Sequence, residues 1–262
     1  MNRSSPGWYE FSMPGLGTLA PPLDLSYLNA EPAGASGFVT AKDGHFADGR
    51  GQRVRFFATN LTATSCFTDK AVSPKAAAWL RSLGFNLVRF HFMDIAPPSG
   101  LLRPDGTLDE DQLDKLDFLV SELKKNGIYV NMNLHVARRY PGITGSAAER
   151  FGMGKVLDRF YPPFIEMQMD YARKLLTHKN PYTGFAYATD PGVFCVELNN
   201  ENTMLPFWGG NADDLPPPFG AELNRQWNAW LKSRYGSTEG LRKSWAAGQK
   251  EPARAALAAA QK

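Results

Sequence analysis

The run Phe194-Cys195-Val196-Glu197-Leu198-Asn199-Asn200-Glu201-Asn202 opens apolar and closes on amides and carboxylates. The apolar half suits a buried strand. The polar finish has no use in a strand interior and suits a site at a strand's C-terminal end. Glu201 sits just past the apolar part, beside Asn199 and Asn200. Partial burial and neighbouring charge can hold such a carboxyl near neutral pKa, as a general acid requires. A solvated loop glutamate would need no such neighbours.

Other candidate strand ends carry similar groups. Arg89-Phe90-His91-Phe92-Met93-Asp94 closes one, Asn131-Met132-Asn133-Leu134-His135 another, and Asn60 a third. Side chains alternate across a strand, so Arg89 shares a face with His91, and Asn131 with Asn133 and His135. The opposite faces, Val88/Phe90/Phe92 and Val130/Met132/Leu134, are apolar and suit a helix layer. The polar faces are therefore expected to point inward, with Glu197 and Asn199 beside them. An inward Arg89 needs a counter-charge, and Glu197 is placed to supply it, either as a structural ion pair or as support for the site.

The elements that position these groups alternate. Strands are expected at Arg53 to Asn60, Phe85 to Met93, Ile128 to Val136 and Gly192 to Asn200. Helices are expected from Ser73-Pro74 to Leu83, from Asp109 to Lys125, from Pro163 to His178 and from Ala221 to Tyr235. Ser73 reads as an N-cap, Gly84 and Gly127 as stops. The second helix carries acids in its first turn, lysines in its last, and an apolar stripe of Leu113, Leu116, Val120 and Leu123. The fourth presents Leu223, Trp227, Trp230 and Leu231, and Ser237 caps a further helix through Trp245. Before them, Asp43-Gly44 reads as a hairpin turn.

Strand–helix alternation predicts parallel strands with crossover helices. The α/β fold expected is a partial (β/α)8 TIM-type barrel of about four βα units, a half-barrel. An extended segment and hairpin occupy residues 1–52, the half-barrel 53–248, and an Ala-rich tail 249–262. An open doubly wound sheet also fits the alternation, but Thr59-Asn60-Leu61-Thr62-Ala63 stands where a dinucleotide fold needs glycines.

Composition narrows the function. The 262 residues carry 29 basic and 26 acidic side chains, a net charge of +3, without long runs of one sign. That gives no nucleic-acid footprint, and no apolar stretch is long enough to span a membrane. The N-terminus lacks the apolar core of a signal peptide. Cys66 and Cys195 read as buried free thiols. His91, Asp94, His135 and Glu201 could ligate a metal, but the His-x-His of metal-dependent hydrolase barrels is missing, and no G-x-S-x-G elbow marks a serine esterase. No metal and no cofactor are expected.

The residues Gly84-Phe85-Asn86-Leu87-Val88-Arg89-Phe90-His91, then Asn180-Pro181-Tyr182-Thr183-Gly184, then Val196 to Asn202, together resemble the clan A glycoside hydrolases, in particular the cellulase-like family 5. The resemblance runs from about Leu23 to Trp245. It implies a retaining glycosidase acting on a β-linked carbohydrate, usually secreted. Glu201 would be the general acid/base, Asn200 would hold the sugar 2-hydroxyl, Arg89 would support the catalytic carboxylates, and His135 would line the subsite at the cleaved bond. His91 is less constrained among relatives, and Asn202 departs from the family's proline. Tyr140 and Trp208 would stack on sugar rings. The family's nucleophile, a glutamate ending strand seven, has no match here: Glu222, Glu239 and Glu251 read as helical surface. The expected function is therefore a cellulase-like hydrolase completed by a further half or by self-association, possible as a homodimer through open sheet edges. The alternative is a catalytically incomplete carbohydrate-binding or self-associating half-barrel.

Overall fold

The computed structural model describes residues 15–17, 19–29, 31–143, 154–203 and 215–248. One compact unit combines the chain up to Gly142 with Glu166–Asn202, and a second combines Ile143–Ile165 with the chain from Thr203 onward. The expected hairpin segment and the parallel strands share the first unit. The last two helices, grouped with the half-barrel in the sequence reading, fall in the second.

In the first unit, strands β1 (Thr40–Lys42), β2 (His45–Ala47) and β3 (Arg53–Val54) form a small antiparallel sheet. Lys42 pairs with His45 across a turn in which Asp43 and Gly44 both have positive φ, 49° and 75°. That is the geometry a two-residue hairpin loop favours.

The main sheet is parallel, in the order β4 (Ala58–Thr62), β5 (Leu87–His91), β6 (Tyr129–Asn133), β7 (Val193–Glu197). Among the described residues, no strand pairs with the outer edge of β4 or β7. The expected strand from Arg53 to Asn60 is in fact two strands in different sheets. The cause is Asn86, whose Nδ2 donates to the Arg55 carbonyl at 2.8 Å while its Oδ1 accepts from the Phe57 N–H at 2.8 Å. The side chain takes the backbone groups that a continuous strand would pair, and β4 then runs on to Thr62.

Helices α1 (Ser73–Ser82) and α2 (Glu110–Lys125) follow β4 and β5, and α3 (Pro162–Thr177) lies between β6 and β7. Ser73 occupies the first helical position rather than the cap. Its Oγ donates to the carbonyls of Thr68 and Asp69, and Val72 is the N-cap. Asp109 caps α2 by accepting from the Gln112 N–H at 3.0 Å.

The apolar stripe of α2 packs as its spacing predicts. Leu116, Val120 and Leu123 join Leu119, Val88, Phe90, Val130 and Met132 in one buried core between sheet and helices, with Leu113 partly buried against it. Each such leucine contributes roughly 1.5–3 kcal/mol by leaving water.

The other face of the sheet is polar near its C-terminal end and aromatic near its N-terminal end. Register shifts between Val130, paired with Val193, and Asn131, paired with Cys195, which leaves Phe194 as an extra residue on β7. Such a bulge re-aims side chains. The Phe194 ring lies 4.3 Å from Phe56 and 4.9 Å from Phe46 of β2, and Phe56 lies 5.7 Å from Tyr129. The small sheet thus joins the lower end of that face through aromatic contacts.

In the second unit, helices α4 (Phe219–Tyr235) and α5 (Thr238–Gly248) follow in sequence, and Ser237 Oγ accepts from the Gly240 N–H. Phe219 is buried against Tyr161 and Phe164. The expected apolar face of α4 is not buried as a whole. Trp227 and Trp230 are each 49% exposed, because their three-residue spacing stacks the two rings on each other, centroids 5.1 Å apart. No helix among the described residues is long and apolar enough to cross a membrane.

Candidate active site

The C-terminal ends of the parallel strands bring polar groups together through their register. Asn60 pairs with Arg89, Arg89 with Asn131, and Asn133 with Glu197. Arg89 forks onto Glu197, with Nε to Oε2 and Nη2 to Oε1 both at 2.7 Å. The same Nη2 donates to Asn200 Oδ1 at 2.9 Å. His91 Nδ1 meets Asn133 Oδ1 at 2.8 Å. The Arg89 hydrogen bonds hold the Glu197 carboxyl below its usual range against partial burial, and Asn131 adds a further bond to it. Glu197 in turn raises the Arg89 pKa. A bidentate guanidinium–carboxylate pair fixes orientation as well as charge.

The chain turns away at the end of β7. Leu134 N–H donates to the Glu197 carbonyl at 2.8 Å, and Asn200 N–H donates to the His135 carbonyl at 2.8 Å. Because the strand stops at Glu197, the expected alternation does not continue. Asn200, not Asn199, joins the Arg89 group, while Asn199 Oδ1 accepts from Asn202 Nδ2. Asn200 is held twice, through its N–H by the His135 carbonyl just past β6 and through its Oδ1 by Arg89. Glu201 follows at φ 47°, exposed. Its charge acts on Arg89 at longer range.

Three of these strand ends carry a non-glycine residue in the left-handed region: Ala63 after β4, Phe92 after β5 and Glu201 after β7. Such conformations cost about 1–3 kcal/mol each and gather at functional sites. At Phe92 the consequence is visible. The expected outward alternation breaks there: Phe92 lies edge-on to His91, Met93 is fully buried in its place, and Asp94 reaches across to the end of β6.

Two expected sugar contacts, His135 and Tyr140, have buried rings. The His135 ring, 2% exposed, meets Asp94 Oδ2 through Nδ1 at 2.9 Å. Tyr140 is buried, with the Arg138 guanidinium over its ring at 5.2 Å, so the ring is not an open stacking surface. Trp208 lies outside the described residues. Asn133 and Asp94 also belong to the site's framework, Asp94 through hydrogen bonds rather than as the metal ligand weighed from the sequence. Asn133 stood on the expected inward face. Asp94 carried a weaker signal, an acid directly after a buried Met.

Nearby cavities sit outside this group. One of about 790 Å³ is lined by Asp94, Arg103, Arg138, Arg139, Glu166 and Arg173, among others. A smaller one of about 170 Å³ is lined by His135, Tyr171, Leu198 and Asn199 among others.

A family model described as cellulase (glycosyl hydrolase family 5) matches residues 47–160. Mannan endo-1,4-beta-mannosidase 1 of Oryza sativa subsp. japonica is 30% identical over 42% of this chain and 27% of its own length. Mannan endo-1,4-beta-mannosidase 2 of Arabidopsis thaliana is 29% identical over 46% of this chain and 28% of its own. Among solved structures, the endo-1,4-beta-mannanase of Rhizomucor miehei superposes with a TM-score of 0.50 at 22% identity, over 63% of this chain and 48% of that one. A glycoside hydrolase family 5 mannosidase from the same organism superposes at 0.51 and 16% identity, over 63% and 49%. The matches span under a third of these curated relatives and about half of the solved chains. At these identities the superpositions speak for the fold, and that fold is the four-stranded parallel part of a barrel whose strand ends carry the group just described. The family match over residues 47–160, the related sequences and the fold together support a cellulase-like fragment of the glycosyl hydrolase family 5 kind.

Proposed function

We propose that this chain carries the acid/base half of a retaining glycoside hydrolase that cleaves β-1,4-linked mannan-type polysaccharide, with Glu201 as general acid/base. The observation that carries the reading is Asn200, fixed by the His135 carbonyl and by Arg89 immediately before Glu201 in the chain, with its side-chain NH2 as the group to offer a ligand. A sugar 2-hydroxyl is the matching acceptor. The mannan preference rests on the relatives' activities, and the roles of His91, Arg89 and Glu197 are binding and support of this dipeptide.

A retaining reaction needs a second carboxyl about 5–5.5 Å from the acid/base. Glu197 is held in the Arg89 fork, which suits it to orient rather than to attack. The nucleophile therefore comes from outside the four strands, from a further segment or from a second copy of the chain. The outer edges of β4 and β7, unpaired among the described residues, also favour a second reading, a half-barrel that binds carbohydrate or pairs with itself without cleaving.

Reducing-sugar release from β-mannan, measured beside isothermal titration with mannohexaose, separates the two. Hydrolysis that Glu201→Gln lowers by about 10²–10⁴-fold, the scale of general acid–base catalysis, supports the first. Binding without hydrolysis supports the second. No binding and no hydrolysis contradicts both. Light scattering at micromolar concentration tests self-pairing: a dimer mass supports it, and a monomer mass removes it.

A further inference from the structure

The geometry points to Asp94 as the residue that positions the Asn200–Glu201 dipeptide, acting through the turn that ends β6. Asp94 lies on neither β6 nor β7. Its carboxylate is buried and gathers the N–H groups of three successive residues: Val136 at 2.8 Å, Ala137 at 3.0 Å and Arg138 at 2.8 Å, all to Oδ2. The His135 imidazole adds a fourth contact at 2.9 Å. Four donors on one carboxylate fix the backbone of residues 135–138.

That backbone is what Asn200 hangs from. The His135 carbonyl accepts the Asn200 N–H at 2.8 Å, one residue before Glu201. The path is short and continuous: β5 end, Asp94, the 135–138 turn, the His135 carbonyl, Asn200. Two links are hydrogen-bonded, Asp94 to the turn and Asn200 to the His135 carbonyl, and the rest is main chain. Arg89 fixes only the side chain of Asn200, so the backbone position of the dipeptide depends on this path. The left-handed Phe92 fits the same purpose, because its turn is what brings Asp94 across from β5 to β6. Burial raises the Asp94 carboxyl, but His135 and the backbone N–H groups outweigh it and leave the pKa below its usual range, consistent with a carboxylate kept charged by its donors.

Asp94 is a positioning residue, since it touches no reacting atom. The inference rests on the reading of Asn200 and Glu201 as the sugar-handling pair, and the test separates the two. Asp94→Asn is compared with Asp117→Asn, a second buried aspartate that holds a histidine in the helix layer. The amide resonances of Asn200 and Glu201 are followed by 1H–15N correlation, and mannohexaose affinity by isothermal titration. Asp94→Asn is expected to move both resonances and to weaken mannohexaose by about tenfold, the worth of one misplaced hydrogen bond. Asp117→Asn is expected to move neither. Unmoved Asn200 and Glu201 resonances in Asp94→Asn, or equal movement in Asp117→Asn, overturn the inference. If the native chain binds no mannohexaose, the sugar reading fails while the resonances still decide the positioning. If Asp94→Asn does not fold, hydrogen exchange of the native chain decides. Val136, Ala137, Arg138 and Asn200 amides are expected to open as one unit. An Asn200 amide that exchanges freely while the other three stay protected overturns it.

Discussion

Asp94 and Asp117 are each 2% exposed, and each holds a histidine nitrogen, at 2.9 Å and 2.6 Å. Their carboxyls nevertheless shift in opposite directions. Burial pushes both up. At Asp94 the His135 imidazole and the backbone N–H groups of the 136–138 turn reverse that push. At Asp117 the Tyr187 hydroxyl and His178 offset it only in part, and the pKa stays raised. The difference is the donor set. A turn of successive N–H groups closes on Asp94, whereas Asp117 receives one phenol and one imidazole. The location differs in the same sense. Asp94 stands at the strand ends beside the candidate active site, and Asp117 sits on α2, tying the 178–187 segment to the helix layer through Tyr187, His178 and the Asn180 side chain. A charge-holding turn serves the site, and a clamp that tolerates a neutral carboxyl serves the scaffold.

The comparison breaks first at stability. Asp94→Ala leaves three backbone donors and a buried imidazole without their acceptor, and is expected to cost about 3–5 kcal/mol, the range for removing one partner of a buried charged pair. Asp117→Ala leaves the Tyr187 hydroxyl and the His178 ring, and is expected to cost about 1–3 kcal/mol. Urea unfolding of both variants checks the order. A larger loss at Asp117 would mean that the turn around Asp94 is held by other contacts.

The smaller effect is on pH dependence, and its sign differs between the two sites. A lowered folded pKa gives Asp94 a stabilising contribution that is present above the ordinary aspartate range and fades as pH falls through the folded value. A raised folded pKa gives Asp117 a contribution that is full at low pH and fades as pH rises through that value. The melting-temperature deficit of Asp94→Asn should therefore shrink between pH 7 and pH 3, while that of Asp117→Asn should grow. Thermal melts of the two variants and the native chain across about pH 3–7 supply the curves. Parallel curves would remove the distinction drawn between the sites.

The helix clamp was more legible in the sequence than the turn. α2 announces itself by the acids of its first turn, the apolar stripe and Gly127, and the Asn180-Pro181-Tyr182-Thr183-Gly184 segment is one of those that carry the family resemblance. The turn does not, because its donors are main-chain N–H groups that every residue carries. Strand faces could be assigned by alternation as far as Phe90 and Glu197. Beyond them the left-handed Phe92 and the end of β7 at Glu197 break the pattern, which is why Asn200 rather than Asn199 meets Arg89. The division of Arg53 to Thr62 between two sheets was hidden for a related reason. It depends on the side chain of Asn86, distant in sequence, capturing backbone groups of Arg55 and Phe57.

All of this framework converges on Glu201, and the most direct measurement is made there. Native chain and Glu201→Gln are assayed side by side for cleavage of β-1,4-mannan, with mannohexaose binding measured on the same samples. The account predicts that cleavage by the native chain, completed by a second copy or by the further segment that carries the nucleophile, is removed by the substitution while binding persists. Equal cleavage by both proteins would contradict the assignment of Glu201 as the general acid/base.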